Sequence, residues 1–292
     1  FLPGEHHTNI GSLTDRGNFI VRGRASPVVG SRPLIFPTQA NGSKADFVAG
    51  GQPANYVGPL PYYAVEGIEV TNGKHGVALL DIGGVVVSDC YFHDNGGTGG
   101  PALRVSRPGT DDDPIGATMA WCEVYDTELA RWGGGGPRHL VYINRIDRVL
   151  ADGLYAHDSK YHPWKIVARK MEVRNSRFTT MEQPQPIDYI YNSQDLINVA
   201  SAADTWIHDS VFEHRRTPKP GGSAGSLIAL NYVTRNGIWA NDEPPYGSCD
   251  FWNPDNWALW SSFGESDINN PYMRRHVVER CAFSEVDPDT AT

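Results

Sequence analysis

Apolar and polar positions along this chain repeat one short arrangement. Six segments carry it: Val87-Ser-Asp-Cys-Tyr-Phe92, Met119-Ala-Trp-Cys-Glu-Val124, Leu150-Ala-Asp-Gly-Leu-Tyr155, Val173-Arg-Asn-Ser-Arg-Phe178, Ile207-His-Asp-Ser-Val-Phe212 and Val278-Glu-Arg-Cys-Ala-Phe283. Position one is aliphatic, position four small and position six large and apolar throughout. An inward aliphatic, a small corner residue and an inward ring describe a strand, a bend and a second strand. Further apolar strands precede most repeats, at 77–80, 139–143, 163–167, 195–199 and 226–230. Two or three short strands per repeat, stacked at about 4.8 Å, predict a solenoid with internal ladders of equivalent residues. The repeat starts lie 32, 31, 23, 34 and 71 residues apart, which loops of variable length accommodate. The predicted fold is all-β, a parallel β-helix, with a β-sandwich as the alternative.

Composition narrows the function classes. The chain has 292 residues, 40% of them hydrophobic, with Gly 31 and Pro 21, enough for a core and more suited to turns than to long helices. An elongated solenoid holds this length as a single domain over 1–292. A net charge of −9 lacks the basic footprint of a nucleic-acid binder. No apolar run is long enough to span a membrane. Phe1-Leu-Pro-Gly4 reads as the end of a strand entering a turn, so the expectation is an incomplete N-terminal coil preceded by a leader. That places the protein in a secreted, periplasmic or cell-surface setting. Cys90, Cys122 and Cys281 share the small inward position and read as buried hydrophobes, and Cys249 lies in a loop. No cysteine is expected to be catalytic or to bind metal.

Leu2-Pro-Gly4, Gly67-Ile-Glu-Val70 and Val85-Val-Val-Ser-Asp-Cys-Tyr-Phe92 resemble early coils of the right-handed parallel β-helix proteins, the pectate-lyase-like superfamily. His139-Leu-Val-Tyr142, Tyr161-His-Pro-Trp-Lys-Ile-Val-Ala168 and Asp195-Leu-Ile-Asn198 resemble three successive coils of a secreted bacterial group within it. Leu140 stands where that group has Asn, and Ile166-Val167 where it has Ser-Arg. The resemblance implies right-handed winding. Activity does not follow from it, since the superfamily holds lyases, hydrolases, esterases, epimerases and non-catalytic fibres.

The same three segments share a spacing: His139-x-x-Tyr142, His162-x-x-Lys165 and Asp195-x-x-Asn198. Their distances to the next repeat predict that Tyr142, Lys165 and Asn198 stack on neighbouring coils. His139, His162 and Asp195 stack beside them if a bend lies between. This set suits β-elimination of a uronic-acid polysaccharide, in which a cation neutralises the carboxylate, a base takes the adjacent proton and an acid protonates the leaving oxygen. Lys165 is the candidate base, with Tyr142, His139 or His162 as acid. Arg138 is the candidate grip on the substrate carboxylate, supported by Asp195, Asn198, Arg169 and Trp164. Each of these residues alone has a structural reading, in turns or in solvent.

Other features suggest other functions. Acids on adjacent coils suit a retaining glycoside hydrolase and acids two coils apart an inverting one. Asp94 and Asp126 share a repeat offset, with Asp158 and Asp195 nearby, although Asp is also the common turn residue. Asp111-Asp-Asp113 is the candidate calcium site, reading mainly as a solvated loop. No spacing fits zinc, and Gly133-Gly-Gly-Gly136 reads as a flexible loop. A Trp-rich stretch, about 236–275, reads as an insertion or end cap, with a carbohydrate platform as its functional alternative. The leading expectation is a polysaccharide lyase acting on an acidic glycan. Its competitors are a glycoside hydrolase and a non-catalytic glycan-binding, fibre or spike protein that self-assembles.

Overall fold

The computed structural model describes residues 1–2, 4–8, 18–23, 32–38, 41, 46–51, 60–80, 82–95, 102–106, 121–132, 140–158, 164–179, 196–215, 228–230 and 276–286. Its elements are all strands. The N-terminal region holds β1 (Glu5–His7), β2 (Phe19–Arg22), β3 (Leu34–Phe36), β4 (Val48–Gly51), β5 (Tyr62–Glu66), β6 (Glu69–Thr71) and β7 (Val77–Leu80). The middle holds β8 (Gly84–Ser88), β9 (Tyr91–Asn95), β10 (Leu103–Ser106), β11 (Trp121–Tyr125), β12 (Glu128–Trp132), β13 (Val141–Asp152) and β14 (Tyr155–His157). Then come β15 (Trp164–Arg174), β16 (Arg177–Thr179), β17 (Ile197–His208), β18 (Val211–Arg215), β19 (Ile228–Leu230), β20 (His276–Glu279) and β21 (Ala282–Val286).

Every pairing among the described residues is parallel, and from β4 onward the chain visits three faces in rotation. The first face comprises β4, β7, β10, the beginnings of β13, β15 and β17, and β19. The second comprises β2, β5, β8, β11, the ends of the same three long strands, and β20. Because those strands run across both faces, the two form one 12-stranded sheet; the third face is a separate 9-stranded sheet. This architecture is compatible with a parallel β-helix.

Ladders fill the interior. Val65, Val87, Val124, Ala151, Val173, Ile207 and Val278 stack in register on the second face. Val70, Phe92, Leu129, Ala156, Phe178, Phe212 and Phe283 stack on the third. The rings of Phe178, Phe212 and Phe283 lie nearly parallel at 5.2 and 5.4 Å, at the spacing the strands impose.

Between these two faces the chain turns in two residues, from β5 onward. The first of the two always has left-handed backbone: Gly67, Asp89, Asp126, Gly153, Asn175, Asp209 and Arg280 have φ from 42° to 74°. Gly, Asn and Asp tolerate that region. Arg280 is the exception, and its guanidinium is held by Asp209 at 2.8 and 2.9 Å. The second residue is Cys, Thr, Ser, Ile or Leu, and its polar versions do a specific job. Ser176 Oγ donates to the Arg174 carbonyl and accepts from the Leu154 amide. Thr127 and Ser210 do the same for their coils.

This corner corrects the alignment of two repeats. The second begins at Val124 rather than Met119 and the third at Ala151 rather than Leu150, because Val87 pairs with Val124 and Val124 with Ala151. The displacements are five residues and one residue, and the left-handed residue of each corner fixes the register. Cys122 therefore sits mid-strand opposite Val85, not at the corner. Cys90 and Cys122 are buried free thiols, and Cys281 is a half-buried one. Asp94 and Asp126 do not share an offset either: both have left-handed backbone, but Asp126 is in the two-residue corner and Asp94 within β9. Met119, Asp111–Asp113, Gly133–Gly136, Cys249 and the stretch 236–275 lie outside the described residues. Among the described residues, no helix is long and apolar enough to cross a membrane.

Candidate functional site

On the first face, strand register places Tyr142 beside Lys165 and Lys165 beside Asn198. Their row continues through Arg104, which pairs with Tyr142 on the preceding coil. Adjacent members are about 4.8 Å apart along the backbone, so the four positions span roughly 14 Å. The inward neighbours explain the alternation: Val141, Ile143, Trp164, Ile166 and Ile197 are all buried in the core. Tyr142, between Val141 and Ile143, is half-buried. Lys165 and Asn198 are described by strand and register alone, and Arg169 by its strand, β15.

The equal spacing seen in the sequence has a physical origin. Each of β13, β15 and β17 is one strand carrying both the row residue and the next repeat. β13 and β17 each hold one more residue than β15, absorbed by irregularities at Asn144/Ile146 and Ile166/Val167.

Two expectations change. Trp164, expected against substrate, is fully buried and packs on Phe178 at 5.7 Å, because its position faces inward. Arg104 was missed, since no repeat segment precedes it at a recognisable spacing. Its half-buried side chain has an enclosed Nε with no hydrogen-bond partner among the described residues. It stands one coil from Tyr142. His139, His162, Arg138 and Asp195 lie outside the described residues.

The second face carries a groove of about 470 Å³, lined by Trp121, Glu123, Arg148, Lys170, Glu172 and Trp206 among others. Two outward rows build it. Trp121, Arg148 and Lys170 form one, and Glu123, Leu150, Glu172, Trp206 and Val277 the other. Gly84 lies under Trp121 in the first row; a Cβ there would sit 2.2 Å from the indole ring. The absent side chain lets Trp121 reach across to Tyr62, which it stacks at 5.9 Å.

A third arrangement recurs at three places and was not read from the sequence. An aromatic residue, one intervening residue, then His-Asp occurs at Tyr91–Asp94, Tyr155–Asp158 and Trp206–Asp209. Each imidazole stacks on the aromatic ring at 4.0 to 4.4 Å. Its Nδ1 meets the following Asp and its Nε2 a Glu: Glu69 for His93, Glu128 for His157, Glu172 for His208. Burial alone would lower the pKa of His157, but hydrogen bonds to Asp158 and Glu128 outweigh it and push the group up to about 9. A charged imidazole clamped between carboxylates joins coils and is unsuited to taking a substrate proton. Among the described residues, no group of His, Cys, Asp and Glu is arranged to hold a metal ion.

Comparison with protein-family models, curated proteins and solved structures returns no match to this chain.

Proposed function

We propose that this protein is a right-handed parallel β-helix acting on a uronic-acid-containing polysaccharide by β-elimination, outside the cell or at its surface. The observation that carries this reading is the row Arg104, Tyr142, Lys165, Asn198 on one face at single-coil spacing. It sets two cationic residues and a phenol side by side along a strip wide enough for several sugars. Arg104, the cation beside Tyr142 in the row, holds the substrate carboxylate together with Arg138. Lys165 takes the C5 proton and the electron pair forms the C4–C5 double bond. The C4–O4 bond breaks, and Tyr142 protonates the departing oxygen. Neutralising the carboxylate stabilises the charge that develops on it.

The test is a panel of uronate polymers followed by the ultraviolet absorbance of the C4–C5 double bond and, in parallel, by reducing-end release. Absorbance that appears with the wild type and vanishes in Lys165→Ala supports the reading. Full activity in Lys165→Ala removes the base. Reducing ends without a double bond would mean hydrolysis instead. Glu123 and Glu172, two coils apart across Leu150, have the roughly 9.6 Å backbone spacing that suits an inverting pair.

A further inference from the structure

The groove on the second face has a chemistry of its own. Trp121 and Trp206 stand three coils apart, so the aromatic ends are separated by about 14 Å. Both indoles are held. Trp121 lies over Gly84 against Tyr62. Trp206 stacks on His208 at 4.0 Å and donates its Nε1 hydrogen to Glu279 at 3.0 Å, yet 42% of it is exposed. Fixed, exposed rings lose little freedom when a ligand stacks on them.

The charges between the rings are asymmetric. Glu172 is paired with Arg174 and His208, Glu279 with Arg280, and Glu123 accepts from the Tyr125 phenol at 2.8 Å. Arg148 and Lys170 are exposed and make no ion pair among the described residues. Glu172 and Glu279 thus have cations of their own and Glu123 a phenol, Asp204 follows Lys170 in register on the next coil, and Arg148 and Lys170 stand exposed between the aromatic ends. A neutral sugar would use the rings alone. An anionic one uses the rings and the cations together.

We infer that this groove is a second glycan site that binds an acidic oligosaccharide through Trp121 and Trp206, with Arg148 and Lys170 on its carboxylates. It is a binding site separate from the row on the first face, reached by following β13 and β15 around their bends.

The experiment is calorimetric titration with hexasaccharides of galacturonate, mannuronate and hyaluronan, and with cellohexaose as the neutral probe. It is run on the wild type and on Lys165→Ala, which keeps the probes from being consumed. At least one acidic probe should bind, with the neutral probe about tenfold weaker or worse. Trp206→Ala and Lys170→Glu should each weaken the acidic probe by about tenfold or more, with Trp206→Phe restoring most of the loss. Unchanged far-ultraviolet circular dichroism shows that the variants fold. Binding that persists in Lys165→Ala but falls in the groove variants supports the site even if no elimination is ever detected. No binding by any acidic probe, equal binding of cellohexaose, or affinities indifferent to Trp206 and Lys170 would each overturn it.

Discussion

Removing one hydroxyl at the two-residue corner tests whether that corner is held by side chains. Ser176 Oγ accepts from the Leu154 amide at 3.1 Å and donates to the Arg174 carbonyl at 2.7 Å. In Ser176→Ala the Arg174 carbonyl keeps the Gly153 amide as a donor. The Leu154 amide keeps nothing, and Leu154 is 1% exposed, so water does not replace the lost acceptor. An orphaned buried amide costs roughly 1–3 kcal/mol. At about 2 kcal/mol, local opening becomes roughly thirtyfold more frequent. Native-state hydrogen exchange reads this residue by residue. The Leu154 amide should exchange about thirtyfold faster, while the Tyr155 amide, bonded to the Thr127 carbonyl, changes far less. Ser176→Thr should restore protection, because the Thr127 hydroxyl already makes the equivalent pair of bonds at its own corner, to the Cys90 amide and the Tyr125 carbonyl. Unchanged exchange at Leu154 in Ser176→Ala would refute the account and reduce the corner serines to small fillers.

Three further perturbations follow from the geometry. The His157 clamp contributes stability in full below about pH 6.5, loses it as pH rises towards about 9, and contributes none above; after discounting for solvent screening it is worth roughly 1–2 kcal/mol. An imidazole titration midpoint near that of a free histidine would contradict it. Gly23→Ala should fail to form the first coils, because the added Cβ would sit 2.1 Å from the Gly67 carbonyl oxygen, and backbone cannot yield as a side chain can; soluble expression with wild-type melting would refute this. The Cys90 and Cys122 thiols, pushed up to about 12 by burial, should resist a thiol reagent in the folded protein and react only on unfolding.

The ladders were legible because parallel strands stacked in register repeat the same environment. Val87, Val173, Ile207 and Val278 read as inward from sequence and stack as expected. The phase of the Met119 and Leu150 repeats was not legible, because apolar residues there are not confined to inward positions: half-buried Leu150 stands directly before the inward Ala151. The row Tyr142, Lys165, Asn198 showed through its constant spacing, although the continuous strands behind that spacing did not. Arg104 and the groove escaped for a different reason. They depend on which coils become neighbours after loops of unequal length, and sequence distance carries little of that. The aromatic-x-His-Asp clamp was present in plain letters but lies in two different sheets, so it has no single period.

The two-residue corner fixes the winding of the whole spine. From β5 to β21 it never lengthens, while the other two corners range from no residues, within the long strands, to the 45 between β19 and β20. One residue added at Asp126 or Asn175 would throw that coil's inward Leu or Phe out of phase with both neighbours. Added at the other corners, a residue or a whole module leaves every ladder in step. The chain is thus a keyed spindle with open rims, and new specificity can be grafted on the rims without rewriting the spindle.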